Sequence, residues 1–137
     1  AVHAAQTCRG TSLLSTAIGL SKHQSGLESA ALMIAALCHD VKHFGRSANF
    51  CVMTEHELAL LYNDHSALEN MHAATTCKLM QDVGGGRGLL RGLARADRAT
   101  LRLHIIEYIL STDMTEHFEF ISRLRVRRGR EGFAMGA

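Results

Sequence analysis

Apolar residues recur along the chain at helical spacing, three or four apart, and no run of alternating β-branched residues interrupts them. The pattern predicts an all-α fold. From Leu27 to Cys38 nearly every position is Ala, Leu, Met or Ile, so this stretch reads as a helix apolar around its circumference, lying in the middle of the domain. Thr54-Glu55-His56-Glu57 and Ser66-Ala67-Leu68-Glu69 both fit the capping pattern in which a hydroxyl and a carboxylate satisfy each other's backbone N–H groups, placing helix starts near residues 55 and 67. The first of these helices is short and ends around Tyr62-Asn63-Asp64; the second extends to Gln81. After Asp97, read as an N-cap, Leu101, Ile105, Tyr108, Ile109 and Thr112 mark one face. Met114, Phe118, Ile121 and Leu124 continue it, as one long helix or as two joined near Ser111-Thr112-Asp113.

Composition narrows the class. A chain of 137 residues that is 47% hydrophobic and 20% charged can bury its own core, which argues for one compact domain and against disorder. The longest stretch free of Asp, Glu, Lys and Arg runs from Gly10 to Ser21, well short of the ~20 apolar residues of a membrane-spanning helix. Residue 1 is Ala and no basic segment precedes an apolar run, so neither an initiator Met nor a secretory signal is seen, and the chain is expected to be a piece of something longer. Cys8, Cys38, Cys51 and Cys77 show no C-x-x-C spacing and read as reduced, partly buried thiols of an intracellular, cytoplasmic protein.

Charge adds little. A net charge of +2 does not by itself imply a polyanion partner, and no nucleic acid is expected. Arg123, Arg125, Arg127, Arg128 and Arg130 read as the solvated, dipole-complementing end of a helix, with no aromatic residues between them to stack on bases. Gly84-Gly85-Gly86-Arg87-Gly88 reads as a surface loop rather than a phosphate loop, because no GK[ST] follows it, and residues 129–137 are expected to fray.

The most informative local pattern is His39-Asp40-Val41-Lys42-His43. On a helix, residues 39 and 43 share a face with Asp40 one position round, so two imidazoles and a carboxylate converge. Imidazole nitrogen suits zinc and a carboxylate can reach toward a harder ion such as Mg²⁺. Taken alone, in a chain with nine histidines, the pattern fits a satisfied histidine cluster equally well.

Further segments decide between the two. Val2-His3-Ala4-Ala5 is followed by His39-Asp40-x-x-His43-x-Gly45 and Asn49-Phe50, then by Glu57-Leu58-Ala59 and Tyr62-Asn63-Asp64-x-Ser66-x-Leu68-Glu69-Asn70-x-His72, and finally by Ser111-Thr112-Asp113-Met114-x-x-His117-Phe118. In order and spacing this series resembles the catalytic domain of class I cyclic nucleotide phosphodiesterases. The resemblance implies a multi-helix HD-type domain, here incomplete, and hydrolysis of cAMP, cGMP or both to nucleoside 5′-monophosphates with two divalent ions, Zn²⁺ with Mg²⁺ or Mn²⁺.

By the same resemblance, His3, His39 and Asp40 fall where the family's first three protein ligands lie, with Asp40 in the bridging place. His43, Glu69 and Thr112 fall where outer groups hold the second metal's waters, and Asp113 and Met114 near the nucleotide pocket. The family's general-acid histidine, four residues before His3, would precede residue 1. Its fourth metal ligand and purine-reading residues would follow residue 137, and any homodimer would form through regions outside this segment. Gln6, Phe44, Ala48 and Met71 depart from the family pattern. They motivate an alternative, a catalytically inactive binding or scaffold module. His23, His56, His65 and His104 read as solvated or capping residues, and His72 and His117 as hydrogen-bonded core histidines.

Overall fold

The structure is a computed structural model, and it describes residues 2–82, 90–115, 117–118, 121–123 and 125–127. Six α-helices carry the fold among these residues: α1 (Val2–Ala17), α2 (Gly26–Cys38), α3 (Ala48–Met53), α4 (Glu57–Leu61), α5 (Ala67–Asp82) and α6 (Arg95–Leu110). A 3-10 turn at Leu20–Lys22 joins the first two, and no strand occurs among the described residues, as the helical periodicity predicts. The glycine cluster at 84–88 and the expected frayed end at 129–137 lie outside the described residues.

α2 is the centre of the molecule, packed against α1, α5 and α6. Ala31 and Ala35 lie one turn apart on one face of α2 and are both buried, and their small side chains let other helices approach closely. Into that space go Leu101, Ile105 and Ile109 of α6, together with Ala73, Cys77 and Met80 of α5. A smaller cluster of Cys51, Ala59 and Leu68 ties α3 and α4 to the start of α5. The apolar stretch 27–38 is therefore central, although Leu37 remains exposed.

α1 and α2 form an antiparallel hairpin, because their contacts run backwards along α2 as they run forwards along α1. Ser15 Oγ donates to Gln24 Oε1 (3.5 Å), Cys8 Sγ lies 3.8 Å from Met33 Sδ, and His3 Nε2 lies 3.5 Å from Asp40 Oδ2. Gly19, in the left-handed region at φ 74°, closes the turn between them. The hairpin carries the first residues of the chain to the C-terminal end of α2.

Two helix starts and one cap differ from the sequence reading, while α5 starts at Ala67 as expected. α4 begins at Glu57, with His56 as its cap: the ring accepts the N–H of Leu58, while Thr54 closes α3 by donating its hydroxyl to the Phe50 carbonyl (2.8 Å). Ser66 precedes α5 as expected but sits at φ 44°, and its hydroxyl donates to Asp113 Oδ2 instead of capping the helix. α6 starts at Arg95, which places Asp97 in its first turn rather than at the cap. The face 101–109 is as predicted, and the helix breaks at 111–113 before helical residues resume at 114–115, 117–118, 121–123 and 125–127.

Candidate metal centre

α2 ends at Cys38, so the sequence His39–His43 is not helical: His39 is the C-cap and residues 40–42 form a turn. The turn is held by the N–H of Val41 on the Cys38 carbonyl and that of His43 on the Asp40 carbonyl, both 3.0 Å, with Lys42 at φ 62°. This corrects the expectation that His39 and His43 share one helix face. The two imidazoles instead serve different groups with Asp40 between them. His3, His39 and Asp40 form one set of metal-capable atoms within 4.8 Å of one another, and Asp40, His43 and His72 form a second.

The first set has the spacing of ligands. His3 Nε2 and His39 Nε2 stand 3.5 and 3.4 Å from the same oxygen, Asp40 Oδ2. These separations exceed a good hydrogen bond, whereas two donors each ~2.1 Å from one tetrahedral ion stand ~3.4 Å apart. The His39 ring is fixed by its other nitrogen: Nδ1, 3.0 Å from the Ala36 carbonyl, carries the proton and leaves the Nε2 lone pair facing Asp40. Such a bond from the far side of an imidazole is what orients a metal-binding histidine. His3 approaches from α1, its ring edge-on to His39 at 5.3 Å between centroids.

The second set is tuned differently. His72, 2% exposed on α5, donates Nδ1–H to the Val41 carbonyl (2.7 Å) and keeps an Nε2 lone pair. The His43 ring stacks on it at 5.7 Å, but His43 Nδ1 accepts the N–H of Gly45 (2.9 Å), so a neutral His43 presents N–H at Nε2. A donor in that position suits an anion or a water better than direct ligation. The sequence reading of His72 as a core histidine is thus incomplete: it is buried and hydrogen-bonded, and it also faces Asp40 and His43. Its place one turn after Glu69 on α5 was the available signal.

Glu69 Oε2 is buried without a hydrogen-bond partner among the described residues. A buried carboxylate oxygen left in that state needs a donor, and a water held by a nearby cation supplies one. Together with the donor set, this orphaned oxygen shows that the residues present fit a divalent ion. Thr112, in the turn after α6, donates its hydroxyl to the Ile109 carbonyl (2.7 Å) and retains acceptor capacity.

Asp113 uses both carboxylate oxygens, one for the Ser66 hydroxyl (2.7 Å) and one for the Thr115 N–H (2.8 Å). The first bond brings the turn that carries Thr112 to the end of α5 that carries Glu69. Met114 is exposed, and among the described residues no hydrogen bond or ion pair joins Thr112, Asp113 or Met114 to His3, His39, His43 or His72.

An all-helical unit with histidine and aspartate donors at a helix end is the architecture of HD-type metal-dependent phosphohydrolases. The family model for 3′5′-cyclic nucleotide phosphodiesterases matches residues 1–133, and the chain belongs to that family. It is 36% identical over 132 residues to a dual 3′,5′-cyclic-AMP and -GMP phosphodiesterase beta of Plasmodium falciparum, covering 96% of this chain and 11% of the relative. A probable 3′,5′-cyclic phosphodiesterase of Caenorhabditis elegans is 35% identical over 124 residues, covering 90% of this chain and 18% of the relative. A 3′,5′-cyclic-AMP phosphodiesterase of Drosophila melanogaster, isoform F, is 37% identical with the same coverage, 90% and 18%. The chain thus spans between 11% and 18% of the length of these relatives.

Proposed function

We propose that residues 1–137 are part of a catalytic domain, and that the protein containing them hydrolyses 3′,5′-cyclic nucleotides, cAMP, cGMP or both, to nucleoside 5′-monophosphates. The observation that carries this reading is the convergence of His3, from α1, with His39 and Asp40, from the cap and turn that end α2, on ligand-like separations in a member of the family. Zn²⁺ suits the two imidazoles and the carboxylate, and Mg²⁺ or Mn²⁺ suits carboxylate and water oxygens such as those Asp40 and Glu69 would supply or hold. Divalent ions at such a centre supply an activated water and charge neutralisation for the phosphoryl oxygens.

The chain's own residues do the positioning. Ala36 fixes the His39 ring, Asp40 joins the two donor sets, His43 offers N–H on one side of Asp40, and Glu69 offers an acceptor inside the fold. Thr112 is assigned to holding the water network of the second ion, and Asp113 and Met114 to the border of the nucleotide pocket. The departures at Gln6, Ala48 and Met71 leave the His3–His39–Asp40 set assembled, so a binding module is not favoured. No described helix is long and apolar enough to cross a membrane, and the four free cysteines support an intracellular location.

The test is metal content and turnover of the full-length protein. His39→Ala and Asp40→Ala are expected to lower both together, by about 100-fold or more in turnover. Near-normal hydrolysis of cAMP and cGMP by either variant would sink the reading.

A further inference from the structure

We propose that the groove between the C-terminal half of α5 and the N-terminal half of α6 is a second binding site, for a soluble phosphate ester with an apolar body. The groove is half open to solvent and has a volume of about 560 Å³, within the range of small-molecule sites. Its floor includes Met80, Leu90 and Ala99, and its walls carry Arg91, Arg95, Arg98 and Arg102. A neighbouring cavity of about 320 Å³ shares Cys77, Gln81 and Arg102 with it and adds Lys78.

The charge pattern separates this groove from an ordinary solvated helix face. Arg95, Arg98 and Arg102 recur at helical spacing along one side of α6, and among the described residues neither cavity is lined by an Asp or Glu. The acids of α6 are placed elsewhere: Asp97 is not on the cavity wall, and Glu107 accepts from His104. Four guanidinium groups held around one apolar floor repel one another until an anion enters. The α6 N-terminus adds to the field, because Ala94 provides no side chain to cap its free N–H groups.

The ligand class follows from these parts. Guanidinium forks match the oxygens of a phosphate dianion, and more than one Arg can engage a single phosphate. Met80 and Leu90 give an apolar body somewhere to lie. Binding of single-stranded nucleic acid calls for aromatic platforms, and the larger cavity has none among the described residues. The site shares no residue with the His3–His39–Asp40 or Asp40–His43–His72 sets, so it stands or falls independently of the hydrolase reading.

The experiment uses 1-naphthyl phosphate and inorganic phosphate as probes, titrated calorimetrically into the full-length protein in metal-free buffer. One saturable site is expected for 1-naphthyl phosphate, tighter than inorganic phosphate by about tenfold or more through the apolar floor. The double variant Arg98→Gln/Arg102→Gln, altered only at exposed positions, should weaken it by about tenfold or more. His39→Ala and the remote Arg9→Gln should leave it unchanged. Absence of saturable binding, equal weakening by Arg9→Gln, or equal competition by polyglutamate would reduce the groove to unselective basic surface and overturn the assignment.

Discussion

Asp113 joins two segments far apart in sequence. Burial by itself raises the carboxyl's pKa, but the hydrogen bonds from Ser66 and then Thr115 outweigh it and hold the group below its ordinary value of 3.8. A carboxyl whose folded pKa is depressed stabilises the fold above its unfolded pKa, and loses that contribution as pH falls through the folded value. The advantage of the native chain over Asp113→Asn should therefore be flat at neutral pH and shrink on acidification below about pH 4. Urea midpoints across that range measure it. At pH 7, Ser66→Ala should cost about 1 to 2 kcal/mol, and the Ser66→Ala/Asp113→Asn pair should be clearly non-additive in a double-mutant cycle. Ser66→Gly should cost less than Ser66→Ala, because glycine relieves the φ of 44° while losing the same bond. At this scale the sequence marked Asp113 by its motif and left its role open. The partner 47 residues away has no signature that precedes folding.

Among the elements, the pattern S/T-x-x-E at Ser25, Thr54 and Ser66 is a useful contrast. Only the Ser25–Glu28 pair closes as a capping box, with Glu28 N–H on Ser25 Oγ (3.2 Å) and Ser25 N–H on Glu28 Oε2 (2.7 Å). Ser25 has the extended backbone that an N-cap requires, φ −67° and ψ 163°, whereas Ser66 has a positive φ and Thr54 sits at φ −102°, ψ 8°. The pattern states which hydroxyl can cap; backbone geometry, set by packing, decides which one does. Ser25→Ala is expected to lower the urea midpoint without changing the slope, and Thr54→Ala to leave the start of α4 intact by amide exchange. The core faces were more legible because helical periodicity is itself the cause of burial. Ile105 and Ile109 are fully buried as that periodicity requires. Ile105→Ala should cost about 3 kcal/mol, read from chemical denaturation, because α2 and α6 offer no slack to refill the space.

At the scale of the whole molecule, the metal-capable set links the two ends of the α1–α2 hairpin. His3 lies in the first turn of α1, while His39 and Asp40 lie at and beyond the C-terminal end of α2. α1 leaves Val2, Leu13 and Leu14 exposed, and Ser15 is its one buried residue, so little apolar burial holds it to α2. The sequence displayed His39 and Asp40 side by side, but their meeting with His3 rests on the antiparallel turn at Gly19, which local pattern does not encode. An ion that binds only the closed hairpin must stabilise it, by about 2.7 kcal/mol at a free concentration 100 times its Kd. Adding Zn²⁺ to the metal-free protein should therefore raise its unfolding midpoint, and both His3→Ala and His39→Ala should abolish most of the rise. Both variants are needed, because a chain with nine histidines offers zinc many weak sites. If His3→Ala keeps the full rise while His39→Ala loses it, the ion sits at the 39–43 turn without α1, and the hairpin is not what assembles the site.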